Sequence, residues 1–367
     1  MSLALMTQSI EANVLGHAFL RISSLLPIVT SIALAVFGLA LLMIVHEAGH
    51  FLAARWFGMR VLRFSIGFGP TIWKRQSVRG STVYQIAVLP FMAYVQIAGM
   101  NPYEEIEPGD RESYENASLW ARAVTIAAGP LTNYLFASVL IFFGLILGGR
   151  EVADETSLHV VVEPGPAEMA GIATGDRITE VNGVALHKWD ELRKAISSHP
   201  GEPVEVTVER DGAITKKTVT PDKERGLIHV LPPMHNVAVG FGEAVKMSIV
   251  TPPLFVYENV RAIGRVIVGK EKMQVSGPVG IVKETARQAK FGVGALLPFL
   301  GMLSAYLGAF NLLPFPALDG GRLLFLGAEA ISRRRPDAKI VAHVHAIGLV
   351  MLLMLMVVVT YSDIRTK

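Results

Sequence analysis

The sequence contains no cysteine. Disulfides and thiolate metal ligands are therefore excluded, and any metal must be held by His, Asp or Glu, donors that suit zinc and harder ions. Charge is scarce as well. Asp, Glu, Lys and Arg make up 18% of the 367 residues and hydrophobic residues 51%, whereas soluble domains carry about 25% charged residues. With a mean hydropathy of +0.44, much of this surface is expected to face a lipid bilayer. The net charge of +3 is too small to call for a nucleic-acid partner.

Four stretches lack charge for long enough to cross a membrane. Residues 26–45 have none over twenty positions, and at 1.5 Å per residue they cover about 30 Å, one hydrocarbon core. The others run from about Val124 to Leu147, from Phe291 to Leu318 and from about Ala346 to Thr360. Segment 241–268 is apolar but different. Glu258, Arg261 and Arg265 recur on one helical face and Val256, Val260, Ile263 and Ile267 on the other, the pattern of an amphipathic helix lying in the membrane interface. Lys and Arg cluster in 59–117 and 320–340, which places those loops in the cytoplasm and both termini outside.

Between spans one and two, Val61–Phe64, Thr71–Lys74, Val83–Leu89 and Tyr94–Ala98 read as short strands separated by glycine and proline. Residues 155–222 form the one sizeable soluble module, with four strand-like runs and helical patterns near Ala167–Gly171 and Trp189–Ser197. The expected organisation is an N-terminal extension (1–25), transmembrane helix 1 (26–55) and a β-rich membrane-associated loop (56–117). Transmembrane helix 2 (118–149), the soluble module, an interfacial helix with its linker (236–290), transmembrane helix 3 (291–335) and transmembrane helix 4 (340–362) follow.

The chemistry concentrates at His46-Glu47-Ala48-Gly49-His50, which fits H-E-x-x-H. On a helix, positions i and i+4 share a face, so both imidazoles reach one zinc while Glu47 sits beside it as a proton acceptor. Catalytic zinc usually takes three protein ligands and keeps one position open. The third candidate is Asp319, an acid that ends the uncharged run 291–318 among prolines and glycines and needs a partner there. His343 and His345 stand at i, i+2 and do not share a helix face, which argues against a zinc role. Histidines 159, 187 and 199 are scattered through the soluble module, with 229 and 235 in the stretch after it, where satisfied surface histidines are the default. A scaffold that only binds peptide ends has no need of such a site, and a transporter usually has more spans and inverted repeats.

HEAGH on the first span with NLLPFPALDGGR (311–322) on a later one resembles the site-2 protease family of intramembrane zinc proteases. AGPLTN (128–133), SGPVGI (276–281) and GFGP (67–70) add to the likeness, and PGPAEMAGIATGDRITEVNG (164–183) resembles the core of a PDZ domain. The chain departs from the family at Phe91-Met92-Ala93-Tyr94-Val95, where many relatives have Gly-Gly-Tyr-Val. The one-PDZ layout looks like the bacterial regulator-of-sigma-E proteases. The resemblance implies an α-helical polytopic membrane protein with a small cytoplasmic-face β-sheet and one extracytoplasmic PDZ-like α+β domain, set in the inner membrane of a bacterium. It implies zinc held by His46, His50 and Asp319, Glu47 as the catalytic acid/base, and Asn133 and Asn311 as substrate-positioning residues. Substrates would be single-span membrane proteins, such as anti-sigma factors or remnant signal peptides, cut by zinc-activated water. Peptide ligands of the PDZ-like module and the lipid bilayer complete the implied partners.

Overall fold

The computed structural model describes residues 3–78, 80–101, 104, 107, 109–268 and 277–365. The chain divides into two compact units, one built from residues 1–148 and 240–367 and the other from 149–239.

The first unit begins with α1 (Leu3–Trp56). A sheet follows from β1 (Val61–Gln76) and β2 (Val83–Ile97). Its register shows how the four short runs in this stretch combine. Residues 61–66 pair on one side with 93–97 (Phe64 with Val95) and on the other with 83–86 (Phe64 with Tyr84), while 71–76 pair with 83–87 (Gln76 with Val83). Four antiparallel segments result, with 93–97 at one edge and 71–76 at the other. After the sheet comes α2 (Leu119–Gly148).

The second unit holds β3 (Arg150–Ala153), β4 (Val161–Val162), α3 (Pro166–Met169), β5 (Arg177–Val181), β6 (Val184–Ala185) and α4 (Trp189–Ser197). It closes with β7 (Val204–Arg210), β8 (Ala213–Val219), β9 (Val230–Leu231) and β10 (Met234–Val237). A four-stranded sheet runs in the order β6-β5-β7-β8. Alternation along β7 buries Val204, Val206 and Val208 against Ile178 and Val181 of β5 and Trp189, Leu192 and Ile196 of α4. At about 1.5–3 kcal/mol per fully buried apolar side chain, this cluster is the main favourable contribution offsetting the entropy of ordering the unit. Within it, Asp176 is buried and accepts hydrogen bonds from Arg210 Nε at 2.6 Å and from the Ala173 N–H at 2.8 Å.

The chain returns to the first unit through α5 (Phe241–Ile267), α6 (Pro278–Lys290), α7 (Val293–Asn311), α8 (Asp319–Ser332) and α9 (Ala338–Arg365). Four helical stretches are long and apolar enough to cross a membrane: Ile32–Trp56, Leu119–Gly148, Val293–Asn311 and Lys339–Asp363. With the small antiparallel sheets they make this a polytopic membrane protein. Segment α5 is not among the helices long and apolar enough to span. Phe241 packs on Phe142, about 9 Å along α2 from its C-terminal end, and Phe255 packs on Tyr306, about 20 Å along α7 from its start. Two aromatic residues of α5 thus rest on α2 and α7 while Val260 of its apolar face stays 58% exposed, and Pro252-Pro253 interrupts its backbone ladder.

Helices α2 and α7 run antiparallel along a seam of glycines. A Cβ on Gly148 would meet Gly294, and Cβ atoms on Gly144, Gly301 and Gly308 would meet Pro298, Ile141 and Pro130. Small residues let backbones approach where lipid gives no hydrophobic drive. At the far end, the Asp363 carboxylate accepts the N–H groups of Gly277 and Gly280, capping α6. The end of α9 and the start of α6 thus meet at one level.

Candidate metal centre

Two of the expected elements are longer or more broken than expected. Helix α1 ends at Trp56, one residue from the expected bound, but begins at Leu3 instead of near 26, and His46 lies ten residues before its end, about 15 Å along the axis. The stretch expected as transmembrane helix 3 (291–335) is two helices. Pro314 and Pro316 lie between them and cannot continue the α7 ladder. The intervening loop folds back so tightly that a Cβ on Gly320 would lie 2.1 Å from the Leu313 carbonyl oxygen. Only glycine permits that approach, and it delivers Asp319 to the first position of α8.

This break brings Asp319 to α1. Its Oδ2 lies 3.2 Å from Nε2 of His46 and 3.2 Å from Nε2 of His50, and the two Nε2 atoms are 3.3 Å apart. Both histidines are buried. Helix α2 sets their outer faces. His50 Nδ1 donates to the Thr125 carbonyl oxygen at 2.8 Å, which leaves Nε2 as a lone pair. A Cβ on Gly129 would stand 2.3 Å from His50 Nε2, so that glycine makes room for the ring. His46 Nδ1 lies 3.3 Å from the side-chain amide of Asn133, whose Oδ1 is buried without a partner. With the amide turned about its axis, that oxygen accepts the His46 Nδ1–H, and His46 Nε2 is a lone pair too.

Three acceptor atoms then converge with no proton among them. Asp319 Oδ2 is accordingly buried with no hydrogen-bond partner. Such a cluster repels itself unless a cation sits between the atoms. The spacing fits zinc, because ligands at about 2.0–2.1 Å in a tetrahedron stand roughly 3.3–3.4 Å apart. Among the described residues, this is the one group of three His, Asp or Glu able to hold a metal.

Glu47 stands beside the cluster, and its Oε2 accepts the backbone N–H of Val95 at 3.0 Å, which ties the 93–97 edge of the sheet to the site. Asn311, by contrast, donates to the Leu307 carbonyl oxygen of its own helix at 2.9 Å, and no hydrogen bond joins it to the cluster. Three supports carry no sequence signature. One is the Thr125 carbonyl. The second is the Arg122–Glu329 pair, which joins α2 to α8 through bonds of 3.0 and 2.5 Å. The third is His345, which reaches the loop before Asp319.

Comparison with known proteins matches residues 34–355 to the model of peptidase family M50. The chain belongs to that family. Its members are peptidases, and so is this protein. Relatives are similar over nearly their whole length. The zinc metalloprotease RasP of Geobacillus kaustophilus is 30% identical over 90% of this chain and 96% of its own. RasP of Bacillus licheniformis is 29% identical over 87% and 95%. A Rhizobium meliloti protein is 32% identical over 90% and 95%.

Proposed function

We propose that this M50 peptidase is an intramembrane zinc endopeptidase acting on single-span membrane proteins. The observation that carries the reading is the cluster of His46, His50 and Asp319, in which both buried histidines stand on an apolar helix long enough to span a bilayer and the carboxylate comes from the start of α8. His46, His50 and Asp319 hold the ion, and zinc held there supplies Lewis acidity and lowers the pKa of water toward 7. The names of the two RasP relatives support the same metal.

Glu47 is the proton carrier. Its carboxylate adjoins the ligands, takes the proton of the attacking water and delivers it to the leaving nitrogen. Asn133 and Thr125 fix the two imidazole tautomers so that both Nε2 atoms face inward. Asn133 is therefore a support of His46 rather than a substrate contact.

A peptide bond inside a substrate helix is hidden in the helical ladder, so the substrate must unwind locally. The edge segment 93–97, next to Glu47, is where an unwound stretch adds as a further strand. The second unit, read as PDZ-like, screens the substrate's outer part. A cleft of about 510 Å³ between α4 and β9, lined at its mouth by Arg193, Arg225, Leu227, Val230 and Leu231, is the place in this unit where an extended peptide would be received. In this reading the second unit lies outside a bacterial inner membrane and residues 320–340 lie in the cytoplasm.

Substrate trapping tests the proposal. Glu47→Gln keeps the ligands and removes the proton carrier. Purified from membranes, this variant should retain single-span proteins identifiable by mass spectrometry. Turnover near wild type in Glu47→Gln, or capture of soluble proteins alone, would contradict it.

A further inference from the structure

The loop that carries Asp319 is strained. Ala317, two residues before the carboxylate, has φ of +75°, a conformation that costs a residue with a Cβ and persists only when its surroundings hold it. What holds it comes from α9. The Ala317 N–H donates to His345 Nδ1 at 2.9 Å. One turn further along the same helix, a Cβ on Gly348 would stand 2.4 Å from Pro316 Cβ and 2.6 Å from the Pro316 carbonyl oxygen. The His345 ring also lies against Phe325 of α8, with centroids 5.7 Å apart. His345 therefore touches the chain on both sides of Asp319, the loop before it and the helix after it.

The hydrogen bond fixes the state of the ring. An amide N–H can donate only to a lone pair, so Nδ1 is unprotonated and the proton of the neutral ring sits on Nε2. That Nε2 is buried and has no partner among the described residues. An apolar side chain would leave no such orphan, so packing alone does not account for an imidazole here. What the imidazole provides, and an apolar side chain cannot, is the acceptor at Nδ1. The same bond removes His345 from metal binding. Its neighbour His343 is likewise turned away, with Nδ1 2.6 Å from the Lys339 carbonyl oxygen.

We infer that His345 is a positioning residue for the metal centre: by accepting the Ala317 N–H it holds the Pro316–Ala317 turn in the conformation that aims Asp319 at His46 and His50. The inference rests on the proposal that Asp319 is a zinc ligand. It places a functional support in the last span, which contributes no ligand of its own.

The test uses the full-length protein in detergent, with zinc affinity measured by competition with a chromogenic chelator and peptide turnover measured alongside. His345→Leu removes the acceptor. It should weaken zinc binding by about 10- to 100-fold, the loss usual when a group that orients a ligand is removed. His345→Asn places an amide oxygen near the former Nδ1 and should bind zinc close to wild type. Should the leucine variant fail to accumulate, His345→Gln replaces it. Its amide group falls near Nε2 instead, so it should lose zinc where Asn holds it. Wild-type affinity in the leucine or glutamine variant overturns the inference. So does an asparagine variant as weak as leucine, because ring packing rather than the acceptor would then be at work. Asp319→Ala separates the two claims. If it keeps zinc, the ligand reading itself fails. If it loses zinc while His345→Leu does not, only the role of His345 is wrong.

Discussion

Arg122 and Glu329 form a bidentate ion pair, and its removal one partner at a time should give unequal losses. Arg122 stands in the first turn of α2, three residues before Thr125, whose carbonyl orients His50. Glu329 stands on α8, the helix that Asp319 begins. The side chains are 8% and 14% exposed, so neither charge has much water to fall back on. A buried pair adds little net stability, because desolvation offsets its attraction, but one stranded partner costs about 3–5 kcal/mol. The partners differ in what remains to them. Without Arg122, Glu329 keeps Arg335, whose Nε is 3.4 Å away on a half-exposed side chain. Without Glu329, Arg122 has no other side-chain acceptor among the described residues, and its Nε is already unpartnered. Glu329→Leu should therefore reach the full 3–5 kcal/mol, and Arg122→Leu should cost less, about 1–3 kcal/mol. The double variant should cost less than the sum of the two, since no charge of the pair is stranded. Unfolding in mixed detergent micelles, followed by tryptophan fluorescence, measures all three, and zinc retention should track the order. Equal losses in the two single variants, or a double variant as poor as their sum, would show that the two charges do not depend on each other for burial.

Three further outcomes are expected. Gly129→Ala should lose zinc, because the added methyl would meet the His50 ring; metal content near wild type would show that the ring does not sit there. In the fragment 149–239, Arg210 and the Ala173 N–H hold the Asp176 carboxyl below the usual carboxylate range. A depressed folded pKa gives stability that is complete above the unfolded value of about 3.9 and is lost as pH falls through it toward the folded value. Acid unfolding should become less pH-dependent in Asp176→Asn, and an unchanged profile would contradict the assignment. The chain has no cysteine of its own, so single cysteines at Lys223, Lys290 and Arg334 can report sidedness. The first two should react with an impermeant reagent from outside and the third only after the membrane is opened. Labelling of 223 and 290 from opposite sides would contradict the proposed topology.

The triad was legible because helical spacing fixes His46 and His50 on one face and an acid at the end of an apolar run needs a partner. The four-segment sheet was legible in its short alternating runs broken by glycine. Helix ends were less so. Helix α1 begins at Leu3, where a separate extension was expected, since no proline interrupts residues 3–25. The charged face of α5 showed that it does not span, but not which helices its aromatic residues meet. Phe142 and Tyr306 decide that, and they belong to distant segments. The supports of the site were invisible for a simpler reason. Thr125 acts through a carbonyl that every residue possesses. His345 acts through a contact with Ala317 across 28 residues, and its i, i+2 spacing from His343 rules out only shared metal binding.

His46, His50 and Asp319 together are proposed to hold one catalytic zinc. Metal analysis of purified protein by inductively coupled plasma mass spectrometry tests it most directly. Wild type and Glu47→Gln should each carry one zinc per chain, with cleavage present only in the former, and Asp319→Ala should carry essentially none. Equal zinc in wild type and Asp319→Ala, or cleavage that survives its loss, would contradict the account.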